Sequence, residues 1–184
     1  RGLEGTSTRD IAAAAKIATG TLFNYFPSKE ALAVALVADI MEAARERSAG
    51  APPATTPEEE LFTLIAGAVR SLEPTRAYFR EVLETGLSPM AAGSLAPEAE
   101  RIRTGHLEDV AGAIAHHGLA GAANAPTMHL YWALFLAILS YWAADNSPGQ
   151  EDTRALIDQT VSMFVGSLRA NIAQGRTVAQ EIQP

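Results

Sequence analysis

The chain has 184 residues, 48% of them hydrophobic, and 14 Lys and Arg against 21 Asp and Glu give it a formal net charge of −7. So apolar a chain can bury a core, which excludes wholesale disorder, and the lack of any cysteine excludes a disulfide framework, a thiolate metal site and a cysteine nucleophile. An acidic balance ordinarily argues against a nucleic-acid partner.

Turn signals cut the chain into helix-length pieces. A short Ala-rich helix is expected over about Thr8 to Ala15, and a second over about Thr19 to Tyr25, ended by Pro27. A long helix follows from Ser28 to about Ser48. Gly50-Ala-Pro-Pro-Ala-Thr-Thr-Pro57 is a linker. At its end Thr56-Pro57-Glu58-Glu59 marks a helix start, with a capping hydroxyl, a proline in the first turn and acids against the helix dipole. That helix should reach about Leu72, with Leu61, Ile65, Ala68 and Leu72 at helical spacing. Pro74 to Thr85 reads as a further helix stopped by Gly86, and Leu87 to Ala96 as a loop. Ala96-Pro97-Glu98 opens a helix to about His117, with Gly118 as its stop. Ala125-Pro126 leads into the most apolar stretch, Met128 to Ala144, which is shorter than the roughly 20 residues of a bilayer span and reads as a buried helix. Asp145 to Gly149 closes it. The last helix covers Asp152 to about Ala173, and the tail after Gly175 is polar. No run alternates with period two, so the class is all-α. No secretory signal is visible, and the first residue is Arg1 rather than Met, so further residues are expected ahead of it.

Residues 5–36 read GTSTRDIAAAAKIATGTLFNYFPSKEALAVAL. Ser7-Thr-Arg-Asp10 is a capping-box start, with Ser7 as N-cap and Asp10 three residues on. Ile11, Ala12 and Ala15 form a narrow apolar face. A tight break at Lys16-Ile17-Ala18 leads into a helix with Leu22 and Phe26 inward and Thr19, Thr21 and Asn24 outward. Two helices this short do not hold themselves together. Joined by a turn of about three residues they make a helix-turn-helix, whose second helix enters the major groove. Small polar residues on its outer face suit base edges and phosphates.

With Thr6-Ser7, Arg9-Asp10-Ile11-Ala12, Ala15, Ile17, Gly20-Thr21-Leu22-Phe23, Tyr25-Phe26-Pro27, Ser28-Lys29 and Leu32 in register, residues 1–40 resemble the TetR family of bacterial one-component transcriptional regulators. The resemblance implies a homeodomain-like DNA-binding domain over residues 1–48 and a helical effector-binding and dimerisation domain over 49–184. It implies a cytoplasmic regulator of transcription, a repressor released from double-stranded operator DNA by a small effector, with no cofactor, metal, catalytic residue or membrane partner. Carried over by position, Ser7, Thr8 and Arg9 begin the positioning helix, where phosphate is touched. Thr19, Gly20, Thr21 and Asn24 lie on the recognition helix, and Tyr25 and Lys29 meet backbone phosphate. A lysine in a first helical turn opposes the local dipole until an anion arrives, which supports the role of Lys29. Three residues depart from the family pattern. Lys16 replaces a helix-ending Gly, so its backbone must be left-handed or the turn altered. Ala18 replaces a Ser cap, leaving Thr19 to cap. Phe23 replaces Tyr and removes a hydroxyl. The family also carries one more amphipathic helix ahead of Arg1, without which Ile11, Leu22 and Phe26 would be partly uncovered.

The resemblance further implies a homodimer through the last two helices. Ile157, Val161, Phe164 and Leu168, spaced 4, 3 and 4, offer a seam for an antiparallel contact. The apolar helix at 128–144 must bury more than one face. Phe62, Tyr78, Phe79, Met90, His106, Tyr131, Trp132, Phe135 and Trp142 are candidates for a pocket taking an apolar or aromatic effector, although each also suits a plain core. His116 and His117 diverge by about 100° on a helix and read as a solvated helix end. An all-α enzyme finds no support, since no phosphate loop, zinc signature or nucleophile–base pair is present. A helical interaction module that keeps the fold without binding an operator is the alternative. The charge is unevenly divided. Residues 1–50 hold six basic and six acidic residues, and the surplus of acid lies wholly in 51–184. The expected consequence is DNA binding through few phosphate contacts with a modest salt slope.

Overall fold

A computed structural model describes residues 3–87 and 97–181. Among the described residues there is no strand. The short helices α1 (Thr8–Ala14) and α2 (Thr19–Tyr25) lead into α3 (Lys29–Ser48), followed by α4 (Pro57–Leu72). A 3-10 turn (Glu73–Tyr78), the one-turn helix α5 (Phe79–Val82) and a π turn (Leu83–Leu87) come next. Then follow α6 (Pro97–His116), α7 (Ala125–Ala144) and α8 (Glu151–Glu181).

Capping chemistry sets most of these boundaries. The Ser7 hydroxyl accepts from the Asp10 amide, and the Asp10 carboxylate accepts in return from the Ser7 amide at 2.9 Å. Ser28, Thr56 and Asn124 cap α3, α4 and α7 in the same way, through the amides of Ala31, Glu59 and Thr127. Lys16 takes φ 57° in the turn after α1, the left-handed conformation expected where a glycine is missing. Gly118 stops α6 with φ 71°.

Four expectations change. Thr19 does not cap α2. It is the first helical residue, and Ala18 holds the cap position with no side-chain acceptor. The helix expected over 74–85 is irregular. Pro74 lacks an amide hydrogen, the Tyr78 backbone breaks the run at φ −130°, ψ 10°, and Gly86 lies inside a π turn that ends at Leu87. That turn packs so closely on α3 that a Cβ on Gly86 would sit 2.4 Å from a Val34 methyl carbon. Thirdly, α8 runs on to Glu181, because Gly175 costs only about 1 kcal/mol in a helix and no proline follows until Pro184. The fourth concerns α7, which at 20 residues is long and apolar enough to cross a membrane by length and composition. It nevertheless buries Tyr131, Trp132, Phe135, Ile138, Leu139 and Trp142 within this chain. Of the loop expected over Leu87 to Ala96, Leu87 ends the π turn and residues 88–96 lie outside the described residues.

The core joins α3, α4, the 73–87 segment, α6, α7 and α8. The start of α8 is fixed by buried Asp145, whose carboxylate accepts from the Thr153 hydroxyl at 2.5 Å, the Thr153 amide at 3.0 Å and the Ser147 amide at 2.8 Å. These donors, the Thr153 hydroxyl foremost, hold the carboxyl well below its ordinary range against the opposing effect of burial. A carboxylate depressed in the folded state stabilises above the unfolded value of about 3.9, and loses that contribution as pH falls through the folded value. Asp145→Asn is therefore expected to lower Tm at pH 7, with the gap to the parent chain narrowing below about pH 4 as the parent's own contribution fades. Thermal melts between pH 2 and 8 check it.

Candidate nucleic-acid interface

α1 and α2 pack on each other across the turn at 15–18. Ala12 and Leu22 are their buried side chains, while Ile11 and Phe26 are half-buried and Ala15, expected on the apolar face, is exposed. With Leu22 turned inward, the helical period of 100° per residue lays the outer face of α2 out in a fixed order. Gly20, Asn24 and Thr21 occupy its centre, exposed, with Phe23 on one flank and Tyr25 on the other. Phe23 is 48% and Tyr25 76% exposed, so neither ring takes part in the chain's own core. Thr19 is half-buried at the edge.

Gly20 is informative because nothing in the chain calls for it. Its backbone is not left-handed, and a Cβ built there meets no atom within 4 Å. Glycine in a helix costs about 1 kcal/mol relative to alanine. The space it leaves opens outward, where a partner's surface could approach the helix backbone.

The cations divide into two kinds. Arg9 and Lys16 are exposed, and their side chains make no hydrogen bond or ion pair among the described residues. Thr8 is half-buried, and the Ser7 hydroxyl donates to Asp10 at 2.6 Å, so its proton is committed to the cap. Lys29, expected to await an anion, is already engaged. Its ammonium donates to the Leu3 carbonyl at 2.7 Å and the Thr6 carbonyl at 3.4 Å.

The expected pocket residues fall into two groups. His106 of α6 stacks on Phe135 at 3.8 Å between centroids and hydrogen-bonds the Tyr131 hydroxyl through Nε2 at 3.1 Å. Trp132 lies against Phe135 at 5.7 Å and Tyr131 against Phe164 at 5.0 Å. Burial, and then the cation of Arg45, push the His106 imidazole down to about 3, so it is neutral, and burial raises the Tyr131 hydroxyl. The second group is Phe79 and Trp142, edge to face at 5.3 Å. Phe62 and Tyr78 are half-buried at the margin of the core, and Met90 lies outside the described residues. Both groups are packed ring against ring. A surface depression of about 300 Å³ lies elsewhere, at the α7–α8 turn by Tyr141, Asp145 and Asp152.

The residues of the expected dimer seam are covered within the chain itself. Ile157, Val161, Phe164 and Leu168 are 0–3% exposed within the chain's own core, and a side chain already covered has no surface left for a partner. The outward faces of α7 and α8 carry other residues. Leu130, Ala133, Ala137 and Tyr141 are exposed on α7, and Ser162, Met163, Gly166 and Ala170 on α8. His116, exposed as expected, and His117, largely covered, both bond Glu60, each at 2.8 Å. Burial raises the Glu60 carboxyl, but the two imidazole hydrogen bonds outweigh it and leave the group below its ordinary value.

Long-range charge pairs are what sequence reasoning missed. Arg45 of α3 reaches Asp109 at 2.8 Å and Glu108 at 3.2 Å on α6, passing over Gly105, where a Cβ would lie 2.4 Å from its guanidinium. Arg101 of α6 pairs with Asp39 and Glu42 of α3. No sequence signal marks such partners, because they are more than 55 residues apart. Together these pairs tie the helix leaving the α1–α2 unit to the helix that carries His106.

Residues 1–36 match the family model for bacterial regulatory proteins of the tetR family, and residues 61–177 match that for a tetracyclin repressor-like C-terminal domain. No curated protein matches the chain.

Proposed function

The chain belongs to the tetR family of bacterial regulatory proteins, a transcriptional regulator with an N-terminal helix-turn-helix and a C-terminal helical domain, and from that premise we propose how it acts. It is a homodimeric repressor that binds double-stranded operator DNA through α2 and is released by a small apolar or aromatic effector. The observation that carries this reading is the outer face of α2. Asn24 and Thr21 are free to meet base edges, where an Asn pairs well with adenine. Tyr25 flanks that face, and Tyr25 with the exposed cations Arg9 and Lys16 is assigned to backbone phosphate. The domain boundary falls between residues 48 and 49, at the end of α3 just ahead of the linker.

A two-fold operator calls for a two-fold protein, with recognition helices about 34 Å apart or at multiples of that spacing. The exposed faces of α7 and α8 supply the self-complementary surface, and their small residues let helices approach closely. Ala137→Glu with Met163→Glu places carboxylates in that contact. The double variant is expected to run as a monomer by light scattering, keep its helical circular dichroism, and bind DNA at least about 100-fold more weakly, since a lone half-site contact forfeits the second. A dimer that survives both carboxylates removes these faces from the account.

Effector and DNA compete by linkage, each lowering affinity for the other by the same factor. α3 is the lever, cross-linked to α6 by the Arg45 and Arg101 pairs. His106 and Tyr131 are a neutral hydrogen-bonding pair among aromatic rings, which favours an uncharged effector with one polar group. A mobility shift with DNA from upstream of the chain's own gene tests the whole reading. Retarded bands should form with the parent chain and fade with Asn24→Ala and Tyr25→Ala, and shifts that ignore both substitutions would remove α2 from the interface.

A further inference from the structure

The Lys29 ammonium occupies an unusual position. It stands in the first turn of α3, where a cation opposes the partial positive charge of the helix end. It is offset there by two carbonyl acceptors from 26 and 23 residues upstream, those of Leu3 and Thr6. Those two residues bound a tight turn, closed by the Thr6 amide donating to the Leu3 carbonyl at 3.3 Å. Ser7, the N-cap of α1, follows at once, and the Leu3 side chain packs against the main core. α1 and α2 pack chiefly on each other and share little surface with α3. Among the described residues the short link at 26–28 joins them to α3 through the backbone, and the Lys29 contact ahead of α1 adds a second fixed point.

We propose that Lys29 is a positioning residue for DNA binding. Its ammonium clamps the turn at residues 3–6 onto the first turn of α3. It thereby holds α1 and α2 at one angle to the helix that enters the C-terminal domain. Lys29 acts through α1, not by touching phosphate. The proposal rests on the DNA-binding reading above, and the two are separable by experiment.

Lys29→Met keeps most of the stem and removes the charge and the donors. Hydrogen exchange is followed by mass spectrometry on the full chain without DNA, beside titration of a fluorescent duplex from upstream of the gene. Peptides spanning residues 3–14 are expected to exchange at least about 5-fold faster than in the parent chain, while α7 peptides stay unchanged. Affinity for the duplex is expected to fall about 10-fold through lost preorganisation. Unchanged exchange, with the slope of log affinity against log salt reduced by about 0.9, is the mark of a direct phosphate contact and overturns the proposal. Faster exchange with unchanged affinity overturns it too, by making the clamp irrelevant to DNA. Should Lys29→Met destabilise the whole chain, Lys29→Gln gives the same readings. If the parent chain binds no duplex, the DNA-binding reading fails, and the exchange result still decides whether the clamp exists.

Discussion

Gly20→Val is expected to cost the chain more than 100-fold in affinity for its operator while leaving its thermal stability unchanged or slightly raised. The two halves of this result have separate causes. In the free protein a Cβ at position 20 meets nothing within 4 Å, and valine is a better helix former than glycine by a few tenths of a kcal/mol. The folded state therefore has no reason to object. At the groove the same methyls stand at the centre of the outer face, between Asn24 and Phe23. There they hold the helix off the base edges, and each bidentate base contact is worth about 1–3 kcal/mol of discrimination. Losing the close approach loses several contacts at once. Gly20→Ala should be intermediate. A melt and an equilibrium titration on each variant check the prediction, and a Gly20→Val chain that binds like its parent would place DNA on some other surface.

Trp142→Ala is expected to be the most destabilising change, by about 3–5 kcal/mol, the usual cost of emptying a large aromatic site. For a chain of this size that is roughly 6–20 °C in Tm. Trp142 is fully buried near the end of α7, edge-on to Phe79, with the Arg76 guanidinium over its ring at 5.9 Å and its Nε1 donating to Glu73 at 3.3 Å. Arg76 also donates to the carbonyls of Trp142 and Asp145. The indole thus knits α7 to the irregular 73–82 segment, and its removal leaves both a cavity and broken polar contacts. Phe23→Ala, an aromatic deletion at an exposed site, should stay within about 0.5 kcal/mol of the parent. Chemical denaturation of both variants separates a packing role from a general loss of aromatic surface, and a loss under about 1 kcal/mol at Trp142 would contradict the packing described.

What the sequence makes legible is what depends on neighbouring residues. The capping box at Ser7, the Thr56-Pro57 start, the stop at Gly118 and the left-handed turn at Lys16 are local events, and local residues signal them. The helical spacing of Ile157, Val161, Phe164 and Leu168 correctly marks an apolar face. Spacing does not say whether a partner or the same chain covers that face, and here it is the same chain. At Lys29 the helix dipole suggests an ammonium awaiting an anion. The acceptor is a turn of its own chain 23–26 residues away, which no local pattern reveals. The divergence of His116 and His117 likewise holds for their backbone directions, yet one carboxylate, Glu60, has two oxygens and serves both rings. Within the irregular 73–87 segment, the close packing of Gly86 on Val34 is again a long-range fact.

The acidic balance belongs to the same account. The excess of acid lies beyond residue 50, and part of the acid on α3 is matched by Arg101 of α6. Among the described residues, the α1–α2 unit presents only Arg9 and Lys16 as exposed cations without a side-chain partner. Non-specific affinity, which comes from phosphate neutralisation, should therefore be weak, and in the proposed reading selectivity comes from α2 and from pairing of two protomers. The most direct test is an anisotropy titration at physiological salt, comparing a duplex from upstream of the gene with a scrambled duplex of the same composition. The predicted result is saturable binding of two protomers per site, at least about 10³-fold tighter than to the scrambled duplex. Equal affinity for the two duplexes, or binding to neither, would contradict the claim that this chain is an operator-reading repressor.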